Sequence, residues 1–509
     1  MPYKREDLED AYLRVRRLTN VRGSVSGLEL SPAGDRVYFN GYLGATRSLL
    51  AQSRDASEPT RLANAVSLQS ISLTGDAMAV VDNGSPRGAG GSDGAPASSG
   101  GRAAVVRLPA GELEYYDPND RLQIDLQQQA EQKFLEASRI MGRIFYDPKM
   151  NGIDWQANTA AYLPLARAAW TPDEFDYVAN RFIGELNASH LGINSPDPVS
   201  PLAQRVGRLG VSTQRVQSPK NETQFEVTDV LPESPATRGA MAIKVGDRIT
   251  AIDFKPFSDH QTIDECLIGT VGKEVVVSLI RDGKTLDLLV TPTSSESLST
   301  LAYNRWRTET AQKVDQLSNG RLGYIHIQAM NQASLETYKR DLFAACDGKD
   351  GLVIDVRWNG GGSTADLLLA SIMSSYHAYT VPRGEAVNTN SYPTDRLFIP
   401  RFIGPIDMLC NERSFSNAEI TAHAFKTLKR GTLVGNTTAG GVISTGQATL
   451  LDGTTLRLPG RGWFTPDGKN MELNGARPDI LLVQTPEDEV TNDDRQLKAA
   501  VDDLMKRLK

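Results

Sequence analysis

The spacing of apolar residues changes period along the chain, and each change predicts a different kind of element. In LELSPAGDRVYFNG and ISLTGDAMAVVDNG apolar and polar positions alternate, which predicts short strands joined by Gly-Asp turns at Gly34-Asp35 and Gly75-Asp76. The turns lie 41 positions apart (75 − 34), a propeller-blade period, so residues 1–104 are expected to form a β-rich partial propeller. Two blades cannot close a ring that needs about four, which leaves edges to be covered by a partner or by chain upstream of Met1. The stretch GSPRGAGGSDGAPASSGG, residues 84–101, is too poor in apolar residues to pack and is expected to be a flexible loop.

From 105 to 202 the period becomes helical. DLQQQAEQKFLEASRIMGRIF sets Ala130, Phe134, Ala137, Ile140 and Met141 on one face, and TPDEFDYVANRFIGELNAS opens on a Thr-Pro-Asp-Glu helix start. A small helical domain is predicted. Residues 203–296 return to short β segments, in RLGVS, FEVTDVLPESPATRGAMAIKVGDRITAIDF and EVVVSLIRDGKTLDLLV, with one short Ala-rich helix and Gly-Asp or Asp-Gly turns. Residues 297–509 read as α/β: RLGYIHIQAM and GLVIDVRW are strands, and the second runs into NGGGSTADLLLASIMSS, three glycines opening an apolar helix.

Composition narrows this multidomain α+β reading. A chain of 509 residues is too long for one core. Its 55 basic and 62 acidic residues leave a net charge of −7, which argues against a nucleic-acid or anionic-membrane partner. Cys266, Cys346 and Cys410 are odd in number and in no metal-ligand spacing, so neither a disulfide framework nor a metal site is expected. The charged start MPYKREDLEDAY lacks the apolar core of a signal peptide, and no run approaches the ~18 apolar residues of a membrane span. A cytoplasmic location is the default, unless a leader has been removed.

Two segments carry candidate chemistry. The strand, glycine turn and helix at NGGGST could hold a phosphate, but the Lys-Ser/Thr ending of a P-loop is absent and so is GxGxxG spacing. No cofactor is expected. Such a turn can instead aim amides at an oxyanion formed during acyl transfer. In ERSFSNAEITAHAF, residues 412–425, Ser414 and Ser416 stand at a strand-to-helix junction, where the ordinary role of a serine is to cap the helix.

Residues 203–296 resemble a PDZ domain of the kind found in proteases, through the Leu209-Gly210 loop, SPATRGAMAIKVGDRITAID and the last strands. Leu209, Gly210 and Val211 are then expected to offer backbone amides to a peptide's terminal carboxylate beside an open sheet edge. Further on, DVRWNGGG, NERSFSNAEITAHAFK, LVGNTTAGGV and MELNGARPDI resemble, in that order, the crotonase-like catalytic domain of the C-terminal processing and tricorn serine peptidases. The resemblance places the nucleophile three positions before the acidic residue of Ser-x-x-Glu, at Ser416, with Ser414 a structural neighbour.

The branch follows from an absence. Bacterial processing peptidases activate their serine with a lysine about 25 positions on, and position 441 is Gly441. Among His190, His260, His326, His377 and His423, the last lies two helical turns beyond Ser416, about 10 Å away, and His326 sits mid-strand as a core or edge residue. His190, in ELNASHLGI, resembles the Ser-His segment that the tricorn branch brings from its helical domain to the nucleophile. The same resemblance makes Ser189 an orienter of His190 and puts an acidic partner at Glu472. The oxyanion amides are expected at Asn417, first after the nucleophile, and in the Gly360-Gly361 turn. It further implies peptide or unfolded-polypeptide substrates and a homo-oligomer. A peptide-binding scaffold with an inactive protease domain, and a thioester-directed acyl-transfer enzyme, remain as alternatives.

Overall fold

The computed structural model describes residues 21–43, 46–53, 58–82, 102–116, 123–196, 205–239, 241–373, 380–381, 383–387 and 401–508. The predicted loop 84–101 and His377 lie outside the described residues. The chain divides into two compact units, Met1–Ile124 and Asp125–Lys509.

In the first unit β1 (Arg22–Leu30), β2 (Arg36–Leu43), β3 (Thr46–Ser53) and β4 (Thr60–Asn64) form one open antiparallel sheet. A second contains β5 (Val66–Ile71), β6 (Ala77–Asp82), β7 (Arg102–Arg107) and β8 (Glu112–Tyr115). The Gly-Asp turns join β1 to β2 and β5 to β6, with Gly34 and Gly75 at φ +70° and +75°, where a side chain would be strained. Alternation along the strands sends Tyr38, Leu49, Val66, Met78, Val80 and Val106 into a common core. The buried Asn40 stitches the sheets, donating to the Val66 carbonyl and accepting from the Leu68 amide, both at 2.7 Å. Strand β7 crosses the expected division at 104/105. RAAVVR keeps a two-residue period, and the helical period begins only at Leu126.

The second unit starts with α1 (Leu126–Ile144), α2 (Trp155–Arg167) and α3 (Pro172–Gly184). Asp125 caps α1 by accepting two first-turn amides, and Ala130, Phe134, Ala137 and Met141 form its buried face. Thr171 and Glu174 close a capping box on α3, with Pro172 first in the helix. Short strand β9 (Gly192–Asn194) then leaves the helices.

An antiparallel sheet follows, built from β10 (Val211–Gln217), β11 (Thr223–Val230), β12 (Arg248–Ile252), β13 (Lys255–Pro256), β14 (Val275–Arg281) and β15 (Lys284–Val290), with α4 (Ile263–Cys266) between β13 and β14. Its order is β10-β11-β12-β14-β15, with β13 paired to β12, so β10 is an edge. The predicted Ala-rich helix is only a single 3₁₀ turn, Pro235–Thr237. Pro235 starts it and Gly239, at φ +97°, ends it, leaving no room for a second turn.

Helix α5 (Ser295–Leu317) leads into the α/β part: β16 (Leu322–His326), α6 (Gln332–Cys346), β17 (Gly351–Asp355), α7 (Ala365–Ile372), β18 (Ile406–Cys410), α8 (Asn417–Thr427) and β19 (Thr432–Gly435). After the hairpin β20 (Ser444–Thr449) and β21 (Thr455–Arg461) come β22 (Ile480–Leu481), α9 (Pro486–Val490) and α10 (Arg495–Arg507). Strands β16, β17, β18, β19 and β22 make a parallel sheet in that order. Leu335, Tyr338, Leu368 and Phe425 of α6, α7 and α8 pack in one core, and Val314, Leu497 and Leu504 of α5 and α10 in another. With helices supplying both cores, β16, β17 and β18 are buried at every position. The hairpin joins β9 in a separate sheet of order β20-β21-β9, and its Leu456 and Leu458 complete the core of α1, α2 and α3.

Candidate active site

Parallel strands deliver their loops to one end of the sheet, and the loops after β17 and β18 meet there. The β18 loop ends on Ser416, the residue before α8. Its backbone sits at φ 57°, ψ −120°, a conformation that side-chain-bearing residues rarely adopt. The loop is tightly held: the Asn411 amide donates to Ser414 Oγ at 3.0 Å, Ser414 Oγ donates to the Val356 carbonyl at 2.8 Å, and the Phe415 amide donates to the Asn359 carbonyl at 3.0 Å. Ser414 is fully buried in this knot, whereas Ser416 Oγ lies 3.0 Å from His190 Nε2. Its hydroxyl therefore meets an imidazole instead of capping α8.

His190 arrives from a segment 226 positions earlier. Asn180 of α3 clasps Ile193 of β9 through two bonds, at 2.7 and 2.9 Å, and β9 pairs with β21, which brings the Ser189-His190 turn to the sheet. The imidazole is 8% exposed and stacks on the Phe415 ring at 4.7 Å. Its Nδ1 lies 2.9 Å from Ser189 Oγ. Behind it Glu472, 4% exposed, accepts from the Ser189 amide at 2.6 Å, Ser189 Oγ at 3.1 Å and the Val442 amide at 3.0 Å. A carboxylate only accepts, so the Ser189 hydroxyl proton points to Glu472 and its oxygen is left to accept from Nδ1–H. That tautomer leaves Nε2 as an acceptor for the Ser416 proton. Burial holds His190 below the ordinary imidazole pKa, Arg457 adds to this, and Glu472 pulls the other way.

The glycine turn after β17 lies against the serine. A Cβ on Gly361, which has φ +94°, would sit 2.6 Å from Ser416 Cβ and 3.0 Å from the Asn417 nitrogen. Only glycine fits there. The Gly361 amide donates to Asn359 Oδ1 at 2.9 Å, whereas the amides of Gly360 and Asn417 donate to no group among the described residues. The structure thus brings Ser416, His190, Ser189, Glu472, Asn417 and Gly361 together, with Gly360 next in the chain. Leu209, Gly210 and Val211 lie elsewhere, at the start of edge strand β10: Leu209 is buried in that sheet's own core, and Gly210 takes φ +87°.

Position 441 has a physical reason to lack lysine. A Cβ there would fall 2.2 Å from the Phe415 ring, which backs His190. His326, 7% exposed, lies 3.0 Å by Nε2 from the Arg357 carbonyl and 2.9 Å by Nδ1 from the Tyr303 hydroxyl, propping the chain just before the glycine turn. His423 contacts Thr427 one turn on, and His260 is exposed. Among the described residues no group of three or more His, Cys, Asp or Glu could hold a metal, and the three cysteines are free.

Sequence reasoning missed Glu419 as a functional residue and used it only as a landmark. Fully buried, it accepts from the Ser416 amide at 3.1 Å, the Gly440 and Gly441 amides at 2.5 and 2.7 Å, and the Thr438 hydroxyl at 2.6 Å. It ties the serine to the loop that Glu472 also holds through Val442. The Ser-x-x-Glu spacing of a capping box was the signal that could have found it.

Three family matches overlay these parts. Residues 321–482 match peptidase family S41, residues 126–184 the tricorn protease C1 domain and residues 207–291 the PDZ domain. The chain is 31% identical over 382 residues to tricorn protease homolog 1 of Streptomyces coelicolor, covering 73% of this chain and 34% of that protein. It is 31% identical over 364 residues to the tricorn protease homolog of Saccharolobus solfataricus, covering 70% and 33%. The crystal structure of the tricorn protease superposes with a TM-score of 0.78 at 21% identity, over 96% of this chain and 47% of that one, which bears on the fold. The chain spans about a third of the length of these curated relatives. The ordered motifs, the C1 and PDZ matches and the relatives agree, and the chain belongs to peptidase family S41, in its tricorn branch.

Proposed function

We propose that this chain hydrolyses peptides or unfolded polypeptides through an acyl-enzyme on Ser416, as an endopeptidase or peptide trimmer. The observation that carries the reading is the 3.0 Å approach of Ser416 Oγ to His190 Nε2, backed by Ser189 and Glu472. As Oγ attacks the scissile carbonyl, His190 takes its proton and the forming imidazolium is stabilised through Ser189 by the Glu472 carboxylate. The amides of Asn417 and Gly360 receive the developing oxyanion, Asn417 at the N-terminus of α8 where the helix dipole favours negative charge. His190 then protonates the departing amine, and a water deprotonated by the same nitrogen releases the acyl group.

The wider organisation belongs to the same proposal. Residues 1–104, with the rest of β7 and β8, act as part of a β-propeller, the remainder of 105–202 as the helical carrier of the Ser-His segment, 203–296 as a PDZ-like module and 297–509 as the crotonase-like catalytic domain. The protein works in the cytoplasm as a homo-oligomer, without cofactor, nucleic acid or membrane. Among the described residues no helix is long and apolar enough to cross a membrane. The Leu209, Gly210 and Val211 segment captures substrate C-termini beside the β10 edge.

A fluorophosphonate probe followed by peptide mapping tests the chemistry. The label is expected on Ser416, and Ser416→Ala is expected to lose labelling and about 10⁴-fold or more of kcat with the fold unchanged. An unlabelled wild type, or a Ser416→Ala variant that still cleaves, overturns the reading and returns the chain to the scaffold class.

A further inference from the structure

Edge strand β10 is tied near each end to the segment 259–267 that carries α4, so the strand and that segment can wall a groove between them. One end is closed where the Gly207 amide donates to the Leu267 carbonyl at 2.8 Å, beside the Leu209-Gly210 turn. The other end is crossed by Arg215. Its two terminal nitrogens donate to the carbonyls of Asp259 and Gln261, both at 2.6 Å, and its guanidinium carbon lies 5.1 Å from the centre of the Phe225 ring.

This guanidinium is held by two carbonyls and by no direct ion pair, with the Glu265 carboxylate close enough that, after the Thr262 bonds, Arg215 helps to lower its pKa. Arg208 near the closed end pairs with Asp264, whereas Arg215 forms no ion pair among the described residues. Of the carboxylates near it, Glu265 is held by the Thr262 amide and hydroxyl at 2.7 and 3.0 Å and meets Arg215 only through space, and Asp259 accepts weakly from the Thr223 hydroxyl at 3.5 Å. Two carbonyls use two of five N–H groups, so three remain for a ligand. Because the side chain is already fixed, little conformational entropy opposes pairing with an incoming carboxylate.

We propose that Arg215 makes this groove selective for peptides with a glutamate or aspartate about five residues before their terminal carboxylate. The spacing follows from the strand. Arg215 is five residues from Gly210 (215 − 210), about 16 Å at roughly 3.3 Å per residue, and a peptide added along β10 spans that length with five of its own. The inference rests on the proposed capture of a terminal carboxylate at Leu209-Gly210.

The test uses the full chain as Ser416→Ala, so that bound peptide is not cut, and labelled octapeptides ending in Leu in which one glutamate is moved along an otherwise uncharged sequence. Affinity by fluorescence anisotropy is expected to peak with glutamate about five residues from the end. At low salt that peptide should bind about three- to tenfold tighter than its glutamine counterpart, and the gain should shrink at high ionic strength. Arg215→Gln should erase the glutamate preference, so that the glutamate peptide and its glutamine counterpart bind the variant equally. A flat glutamate scan, a peak within three residues of the end, or a preference that survives Arg215→Gln overturns the inference. A C-terminally amidated peptide separates the two failures. If it binds as well as the free acid, or if no peptide binds, carboxylate capture itself fails and the inference with it.

Discussion

Ser416 and His190 both sit at positive φ, 57° and 59°, where side chains are disfavoured. Two such residues facing each other mark a place where the fold maintains strain, at a cost of order 1–3 kcal/mol each. The sequence allowed both residues to be chosen, but only through the resemblance of their motifs. Spacing alone favoured a capping role for Ser416, because a strained turn has no signature that distinguishes it from a helix cap. The Ser189 and Glu472 contacts were equally invisible to spacing, since they join positions 283 apart. Arg457 was not singled out at all. It lies on β21 opposite Gly192, is exposed, and depresses the His190 pKa after the larger effect of burial. As the proposed base, His190 must be neutral to accept a proton, so in that role its depressed pKa extends activity further into acid. Replacing Arg457 by Gln removes a repelling positive charge and raises the imidazole pKa, so the acidic limb of kcat/KM should move to higher pH. Initial rates between pH 5 and 8 check this. A limb that stays in place or moves to lower pH would remove Arg457 from the account.

Among elements, the long periodic ones were legible and the short ones that complete the site were not. Helices α1 and α3 followed from apolar spacing and from the Thr-Pro-Asp-Glu start, and β16 and β17 from the segments RLGYIHIQAM and GLVIDVRW. Strand β9 has three residues, too few for any period, and its partner β21 is more than 260 positions away, as Asn194 and Thr455 illustrate (455 − 194 = 261). Yet β9 is what seats His190. A second tie holds the helices to the hairpin: Lys133 of α1, 4% exposed, donates to Asp452 at 2.8 Å and Thr454 at 3.2 Å, and lies 3.8 Å from the centre of the Phe175 ring. Removing one partner of a largely buried pair strands the other charge, so Lys133→Met should cost about 3–5 kcal/mol in urea unfolding. Adding Asp452→Leu should recover much of that loss, because no charge is then left unpaired. If the tie also sets His190 against Ser416, the single variant should lose kcat with KM nearly unchanged, and the double variant should regain part of it. Equal losses in single and double variants would reduce the pair to ordinary packing.

In the whole molecule, the unit Asp125–Lys509 contains Ser416, His190, Ser189, Glu472 and the amides of Asn417 and Gly360, so on the proposed mechanism one chain supplies every reacting group. A small fluorophosphonate needs nothing more, and its rate of reaction with Ser416 should be independent of protein concentration. Peptide hydrolysis asks for more. Its substrate has to be held across the groove and the sheet end, and an ångström-scale error in that placement can cost about a hundredfold in rate. The two four-stranded sheets of the first unit are open, and Trp170 and Tyr177 in the helical segment stand 65% and 64% exposed, features that an assembly would cover. On the proposed homo-oligomer, peptide cleavage per chain should therefore fall as the protein is diluted toward the monomer, while the labelling rate stays constant. Light scattering beside both assays over a nanomolar to micromolar range checks the pairing of these outcomes. A monomer that cleaves peptides at the full rate would make assembly dispensable for turnover, and a labelling rate that falls with dilution would mean that a second chain helps to shape the site itself.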